Sequence, residues 1–276
     1  MAEVTSAAGT PPAWTASRSV PRGTWTLVAR RSYGPRVFRV DSARGGAYYV
    51  KTTPVREADT RFHPVAEAER LAWLRGHGLP VPEVLDVGVR DGLTWLVTTA
   101  VPGRPASGPW SAAERPRVVR VLAEAAAALH ALPVGGCPFD GRLRTTLAWA
   151  ETAAHTGRVD LDDLDEHHLG WSAGRLLDAL RGTPAPPEDP VVCHGDLCPD
   201  NVLVDPDTLA LTGIIDAGRL GAADRWRDLA VVLRELGDAG GAWPAAERHD
   251  EAFLRGYGIT YDAPKADFYR LLDEFF

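Results

Sequence analysis

Val191-Val-Cys-His194-Gly-Asp196-Leu-Cys-Pro199-Asp-Asn201-Val-Leu-Val204, followed after a short turn by Leu211-Thr-Gly-Ile214-Ile215-Asp216-Ala-Gly218, decides how this chain is read. An apolar run delivers His194 and Asp196 to a turn marked by Pro199. Asn201 opens a second apolar run, and Ile214-Ile215 present Asp216 just before Gly218. Two carboxylates and an amide oxygen are thereby placed at strand edges.

That grouping suits phosphoryl transfer from a metal-bound nucleotide. Metal ions bridging the leaving phosphates need hard oxygen ligands, and a further carboxylate must orient the attacking hydroxyl and accept its proton. Asp196 is the candidate base, with Asn201 and Asp216 as metal ligands. The step from Asp196 to Asn201 equals the Asp-to-Asn step of the protein-kinase catalytic loop, and Asp216-Ala-Gly218 stands where those enzymes carry Asp-Phe-Gly. An aspartate in a turn commonly just bonds its own backbone; the three groups together are what points to this chemistry.

The chain resembles the aminoglycoside phosphotransferases, most closely those acting on the 3′-hydroxyl. The resemblance is carried by His194-Gly-Asp-Leu-Cys-Pro-Asp-Asn201, Ile215-Asp-Ala-Gly-Arg-Leu-Gly-Ala-Ala-Asp-Arg225, Val159-Asp-Leu-Asp-Asp-Leu-Asp-Glu166, Cys137-Pro-Phe139 and Phe268-Tyr-Arg-Leu-Leu-Asp-Glu-Phe-Phe276. It implies an α+β, two-lobed, protein-kinase-like fold with a small antiparallel N-terminal lobe and a larger, mainly helical C-terminal lobe. It also implies ATP and Mg2+ as cofactors and resistance to kanamycin- and neomycin-type drugs as the outcome.

Composition agrees with a globular protein and narrows the partners. The 276 residues fit one or two domains, with 45% hydrophobic and 24% charged residues. No apolar run is long enough to span a membrane, and the first residues lack the order of a signal peptide, so a cytoplasmic location is expected. Cys137, Cys193 and Cys198 are an odd number for a disulfide framework and fit no zinc spacing, which favours buried thiols. A net charge of −7 argues against nucleic acid and favours a cationic partner. Monomer and dimer both stay open.

Residues 1–22, rich in Ala, Ser, Thr and Pro, read as a mobile tail. Residues 23–101 form the expected nucleotide-binding lobe. There Thr24–Val28, Arg36–Val40 and Ala47–Lys51 are short β-rich pieces separated by turn residues. The first turn, around Tyr33-Gly-Pro35, is either a phosphate loop or a plain hairpin turn. Pro35 has no N–H to offer an anion, which leaves GTP open beside ATP.

Lys51 is placed at the end of the third strand. It and Lys265 are the only lysines in a chain that otherwise uses arginine, and a compact ammonium suits a point contact to phosphate. The resemblance assigns it to the nucleotide phosphates with a helix glutamate as partner, here Glu67, with Glu69 as the alternative. It also puts the Val101 backbone on the adenine edge and Tyr49 on the purine, although a core aromatic explains Tyr49 equally well. Val84–Val89 and Leu93–Thr98 read as a hairpin through Arg90-Asp-Gly92.

Residues 102–276 are the expected catalytic and acceptor lobe, mostly helical: Ala112–Leu132, Leu143–Ala154, a stretch within Leu164–Leu180 interrupted by Gly170, and Ala222–Leu236. Asp228 either holds the catalytic loop through backbone hydrogen bonds or is a simple helix charge. The run Asp160–Glu166 holds five carboxylates, which by themselves suit a solvated loop or a helix N-terminus. By resemblance Asp163, Asp165 and Glu166 contact the drug, as do Arg234, Glu235, Asp238, Glu274 and the terminal carboxylate of Phe276. Phe268, Leu271, Leu272 and Phe275 are spaced to anchor the last helix. Two other acceptors compete on the same fold, streptomycin at its 3″-hydroxyl and a small alcohol such as choline. A catalytically inactive nucleotide- or drug-binding protein is the alternative of another class.

Overall fold

The computed structural model describes residues 22–30, 34–55, 63–237 and 247–276. Residues 1–21, Tyr33 and Asp238, which carried the expected tail, part of the loop and one drug contact, lie outside the described residues. In chain order the elements are β1 (Gly23–Arg30), β2 (Arg36–Ser42), β3 (Ala47–Pro54), α1 (Pro64–Gly76), β4 (Val84–Arg90), β5 (Leu93–Thr99), β6 (Arg104–Pro105), α2 (Arg115–His130), α3 (Leu143–His155) and α4 (Ala173–Gly182). There follow β7 (Pro190–Cys193), β8 (Val202–Val204), β9 (Leu211–Ile214), β10 (Gly221–Asp224), α5 (Trp226–Gly237), α6 (His249–Tyr257) and α7 (Ala263–Asp273).

The chain divides into two compact units: residues up to Pro102 with Thr212–Gly218, and Gly103–Leu211 with Arg219–Phe276. The first unit is a five-stranded antiparallel sheet ordered β1-β2-β3-β5-β4, the meander and hairpin expected from short β-rich pieces separated by turn residues. Trp25, Phe38, Val40, Val50, Trp95 and Val97 bury one of its faces. The β4–β5 turn carries Asp91 and Gly92 at φ 51° and 75°, the left-handed pair that a two-residue hairpin favours.

Lys51 does not end β3. Thr52 and Thr53 continue the ladder opposite Trp95 and Thr94 of β5, because β-branched residues suit a paired strand, so Lys51 sits inside it. Helix α1 starts at Pro64, with His63 accepting from the Ala66 N–H, and buries Leu71 and Leu74 completely. Each of those leucines contributes about 1.5–3 kcal/mol by leaving water.

The second unit is built on helices. Every residue from Trp226 to Leu233 of α5 is buried. α7 packs on α5, and α6 on α2. The buried set Phe268, Leu271, Leu272 and Phe275 anchors the C-terminal helix as expected. Two helical expectations need correction. Ala222–Asp224 is not the start of α5 but strand β10, paired antiparallel with β7 through Ala222 and Val192. In Leu164–Leu180 only one short turn, Glu166–His168, precedes Gly170, and α4 begins after Ser172, whose hydroxyl accepts from the Arg175 N–H. No helix among the described residues is long and apolar enough to cross a membrane.

Candidate active site

In the first unit three predicted residues converge. Lys51 lies on the face of β3 shared with Tyr49, opposite to Val50 and Tyr48, which pack into the core. Its Nζ is 2.8 and 3.0 Å from the two oxygens of Glu67 on α1, and 2.5 Å from Asp216 Oδ1. The alternative partner, Glu69, is exposed on α1. Burial opposes the ammonium charge, but Asp216 and Glu67 outweigh it and raise the lysine pKa above its ordinary value. Asp216 follows β9 at φ 63°, a left-handed conformation that aspartate tolerates better than most residues. Val101 closes against Gly213, where a Cβ would stand 2.6 Å from Val101 Cγ1, so that position excludes a side chain.

In the second unit the loop after β7 is held by backbone bonds. The His194 and Gly195 N–H groups each donate to Asp228, at 2.7 Å to Oδ2 and Oδ1. Of the two roles left open for Asp228, the geometry selects the loop anchor over a helix charge. Burial alone would raise its pKa; the hydrogen bond from His130 and the Gly195 N–H outweigh that and hold it below the ordinary range. Gly195 has φ 85°, and a Cβ there would lie 2.5 Å from the Arg219 carbonyl oxygen, so the tight turn before Asp196 requires glycine.

Beyond the turn, Asn201 Nδ2 donates to the Asp196 carbonyl at 2.8 Å, locking the loop across the Pro199–Asn201 turn. The Asp196 side chain is 31% exposed, with Arg219 Nη1 3.9 Å away. Burial pushes the Cys193 and Cys198 thiols up, so neither supplies a thiolate near neutral pH.

The acidic acceptor residues also belong to the second unit. Asp163 and Glu166 are exposed, whereas Asp165 is half-buried and caps the short turn by accepting from the His167 N–H. Glu274 is buried, accepts from the Asp165 N–H at 3.2 Å and lies 2.6 Å from His168 Nδ1; burial raises its pKa. Arg234 holds Glu235 at 3.2 Å and Asp273 at 2.9 Å. Arg219 reaches Asp273 at 3.2 Å and donates to the Phe276 oxygen at 2.6 Å.

Sequence reasoning had assigned no role to Asp273, His168, Arg219 or His130. Arg219 was visible inside the quoted Asp-Ala-Gly-Arg string. Asp273 likewise lay inside the Phe268–Phe276 string, whereas nothing local marked His168 or His130, because their carboxylate partners lie far away in the chain.

A model of the phosphotransferase enzyme family matches residues 26–269. The chain is 46% identical over 265 residues to an aminoglycoside 3′-phosphotransferase of Streptomyces ribosidificus, covering 95% of this chain and 99% of that one. The crystal structure of an aminoglycoside-3′-phosphotransferase of type VIII superposes with a TM-score of 0.84 at 47% identity, covering 91% of this chain and 93% of the other. Aminoglycoside phosphotransferase APH(3″)-Id from Streptomyces rimosus, in complex with ADP and streptomycin, gives 0.75 at 33% identity over 91% and 92% of the two chains. The α+β, protein-kinase-like fold class expected from the sequence is therefore that of these structures.

Proposed function

The chain belongs to the phosphotransferase enzyme family, and from that membership we propose that it transfers the γ-phosphoryl group of ATP to the 3′-hydroxyl of kanamycin- and neomycin-type aminoglycosides, conferring resistance to them. The observation that carries this assignment is the 46% identity running through 99% of an aminoglycoside 3′-phosphotransferase. Every residue type the reaction needs is present beside it.

In this proposal Lys51, oriented by Glu67, holds the nucleotide phosphates, the Val101 backbone meets the adenine edge, and Tyr49 stacks on the purine. Asp196 orients the acceptor hydroxyl and takes its proton as the oxygen attacks the γ-phosphorus and the bond to ADP breaks. Asn201 and Asp216 fit Mg2+ as hard oxygen donors. The Asn201 Nδ2 is committed to the Asp196 carbonyl, which leaves Oδ1 as its ligand atom, and the Asp216 side chain keeps 43% of its surface exposed. When bound, the ion supplies charge neutralisation on the phosphates.

Asp163, Asp165, Glu166, Glu235, Asp238, Glu274 and the Phe276 carboxylate receive the amines of the acceptor, and Arg234 holds the acidic set in place. Exposed ion pairs contribute only about 0.2–1 kcal/mol each, so micromolar affinity, roughly 8 kcal/mol, needs many of them. The reducing cytoplasm is the proposed location, consistent with three free thiols.

The streptomycin 3″-hydroxyl is the second acceptor, favoured by the likeness to the streptomycin complex. Coupled ATP consumption with Mg2+ against kanamycin, neomycin, streptomycin and 3′-deoxy tobramycin decides between them. Turnover on kanamycin and neomycin but not tobramycin is expected. Turnover on streptomycin alone would move the acceptor, and turnover on none would overturn the activity.

A further inference from the structure

We propose that His130, fixed by Tyr257 and Arg225, is a positioning residue for phosphoryl transfer: a buried hydrogen-bonded brace that sets the Asp228 carboxylate and through it the loop bearing Asp196. The proposal rests on the kinase activity proposed above. Behind the loop, Asp228 is fully buried, and one of its oxygens serves both the His194 N–H and His130 Nε2, the latter 3.0 Å away. The other ring nitrogen, Nδ1, lies 2.7 Å from the Tyr257 hydroxyl, and that hydroxyl lies 3.0 Å from Arg225 Nη1. Arg225 is itself tied to Asp189 at 2.7 Å.

The donors fix the direction of this chain. The Asp228 carboxylate only accepts, so His130 Nε2 is the donor to it, and a guanidinium only donates, so the Tyr257 oxygen accepts from Arg225. With the Nε2 proton committed to Asp228, the tautomer with a single ring proton leaves Nδ1 to accept from the Tyr257 hydroxyl. One tautomer satisfies every group without an extra buried charge, which a buried polar network must do to be stable.

The brace also joins residues that lie far apart in the sequence. His130 ends α2, Tyr257 ends α6 and Arg225 stands between β10 and α5; Tyr257 comes 127 positions after His130 in the chain, and Asp228 98 positions after it. An apolar residue would fill the same space without ordering the carboxylate. Since a misplacement of about 1 Å at a reacting group can cost 10²-fold in rate, ordering the anchor of the loop bears directly on turnover.

Three variants of the full chain test this: His130→Leu, His130→Gln and Tyr257→Phe, each assayed for kcat and for KM with ATP and kanamycin. 15N NMR of the histidine side chains reads the tautomer. The wild type is expected to show His130 as the Nε2–H tautomer, and Tyr257→Phe to lose that preference. His130→Leu should lower kcat about tenfold or more with both KM values within about twofold, and Tyr257→Phe about three- to tenfold. Glutamine, which keeps a donor at the Nε2 position, should restore kcat to within about threefold of wild type.

Leucine performing as well as glutamine, losses carried by KM, or a wild-type Nδ1–H tautomer would each overturn the brace. If the wild type phosphorylates no aminoglycoside, the proposed activity fails, whereas the tautomer and its response to Tyr257→Phe still decide the brace, because they need no substrate.

Discussion

Lys51 Nζ lies 2.5 Å from Asp216 Oδ1, although 165 residues separate the two in the chain. The same ammonium also meets both oxygens of Glu67. One lysine thus joins a central strand, a helix and the segment after β9. In the proposed reaction Asp216 would hold the metal ion, and Glu67 would orient Lys51 toward the phosphates.

Replacing Lys51 by Arg or Met should therefore lower kcat/KM for ATP by about 10²–10³, as loss of one donor to a reacting centre does. The arginine fork does not reproduce a compact ammonium at 2.5–3.0 Å from two carboxylates. KM for the acceptor should stay within about twofold. Initial rates with ATP and kanamycin varied separately check this, and an arginine variant of wild-type efficiency would remove Lys51 from the phosphates.

Asp196→Asn keeps the loop, because its carbonyl bond to Asn201 and the Asp228 anchors are backbone contacts. It removes only the proton acceptor. A fall in kcat of about 10²–10⁴ is expected, with KM values little changed. Thermal stabilisation by ATP should match that of the wild type. A variant that turns over normally would dismiss Asp196 as the base.

How much of this was legible in the sequence depends on the range of each contact. Asp196, Asn201 and Asp216 stood out because their side chains are delivered by one continuous stretch of short apolar runs and turns. Lys51 stood out by composition, since the chain has only two lysines. The other, Lys265, forms an ion pair at 2.6 Å with the buried Asp224, which nothing in its helix announced. Periodicity located α1 but did not choose between Glu67 and Glu69. The fold did, by burying one and exposing the other. Glu274 was picked out as a drug contact from a resemblance, yet its bonds to Asp165 and His168 cross more than a hundred residues and no local pattern encodes them.

The depressed pKa of Asp228 makes its contribution to stability depend on pH. A carboxyl held below its ordinary value of 3.8 stabilises the fold fully above that value, and the contribution disappears as pH falls through the folded-state pKa. Asp228→Asn should cost about 1.5–3 kcal/mol at neutral pH, the range for hydrogen bonds to a charged group. The gap between wild type and variant should narrow as pH drops below about 4. Urea unfolding at pH 7 and at successively lower pH measures it, and a constant gap would mean that the ionised carboxylate is not what anchors the loop.

The last residue offers the sharpest separation between acceptor binding and the rest of the site. The Phe276 oxygen accepts from Arg219 at 2.6 Å, and its ring stands edge-on to Trp149 with centroids 6.2 Å apart. Ending the chain at Phe275 moves the carboxylate to a fully buried residue and deprives Arg219, which lies 3.9 Å from Asp196, of that acceptor. If the terminal carboxylate receives an amine, this truncation should raise KM for kanamycin about tenfold, equivalent to about 1.4 kcal/mol, with KM for ATP unchanged. A modest fall in kcat should accompany it as Arg219 resettles. Phe276→Ala keeps the carboxylate and loses only the ring, so its KM for kanamycin should rise by less than about threefold, roughly 0.65 kcal/mol. Equal losses in the two variants would assign the effect to the ring and its packing on Trp149, and would take the terminal carboxylate out of the acceptor site.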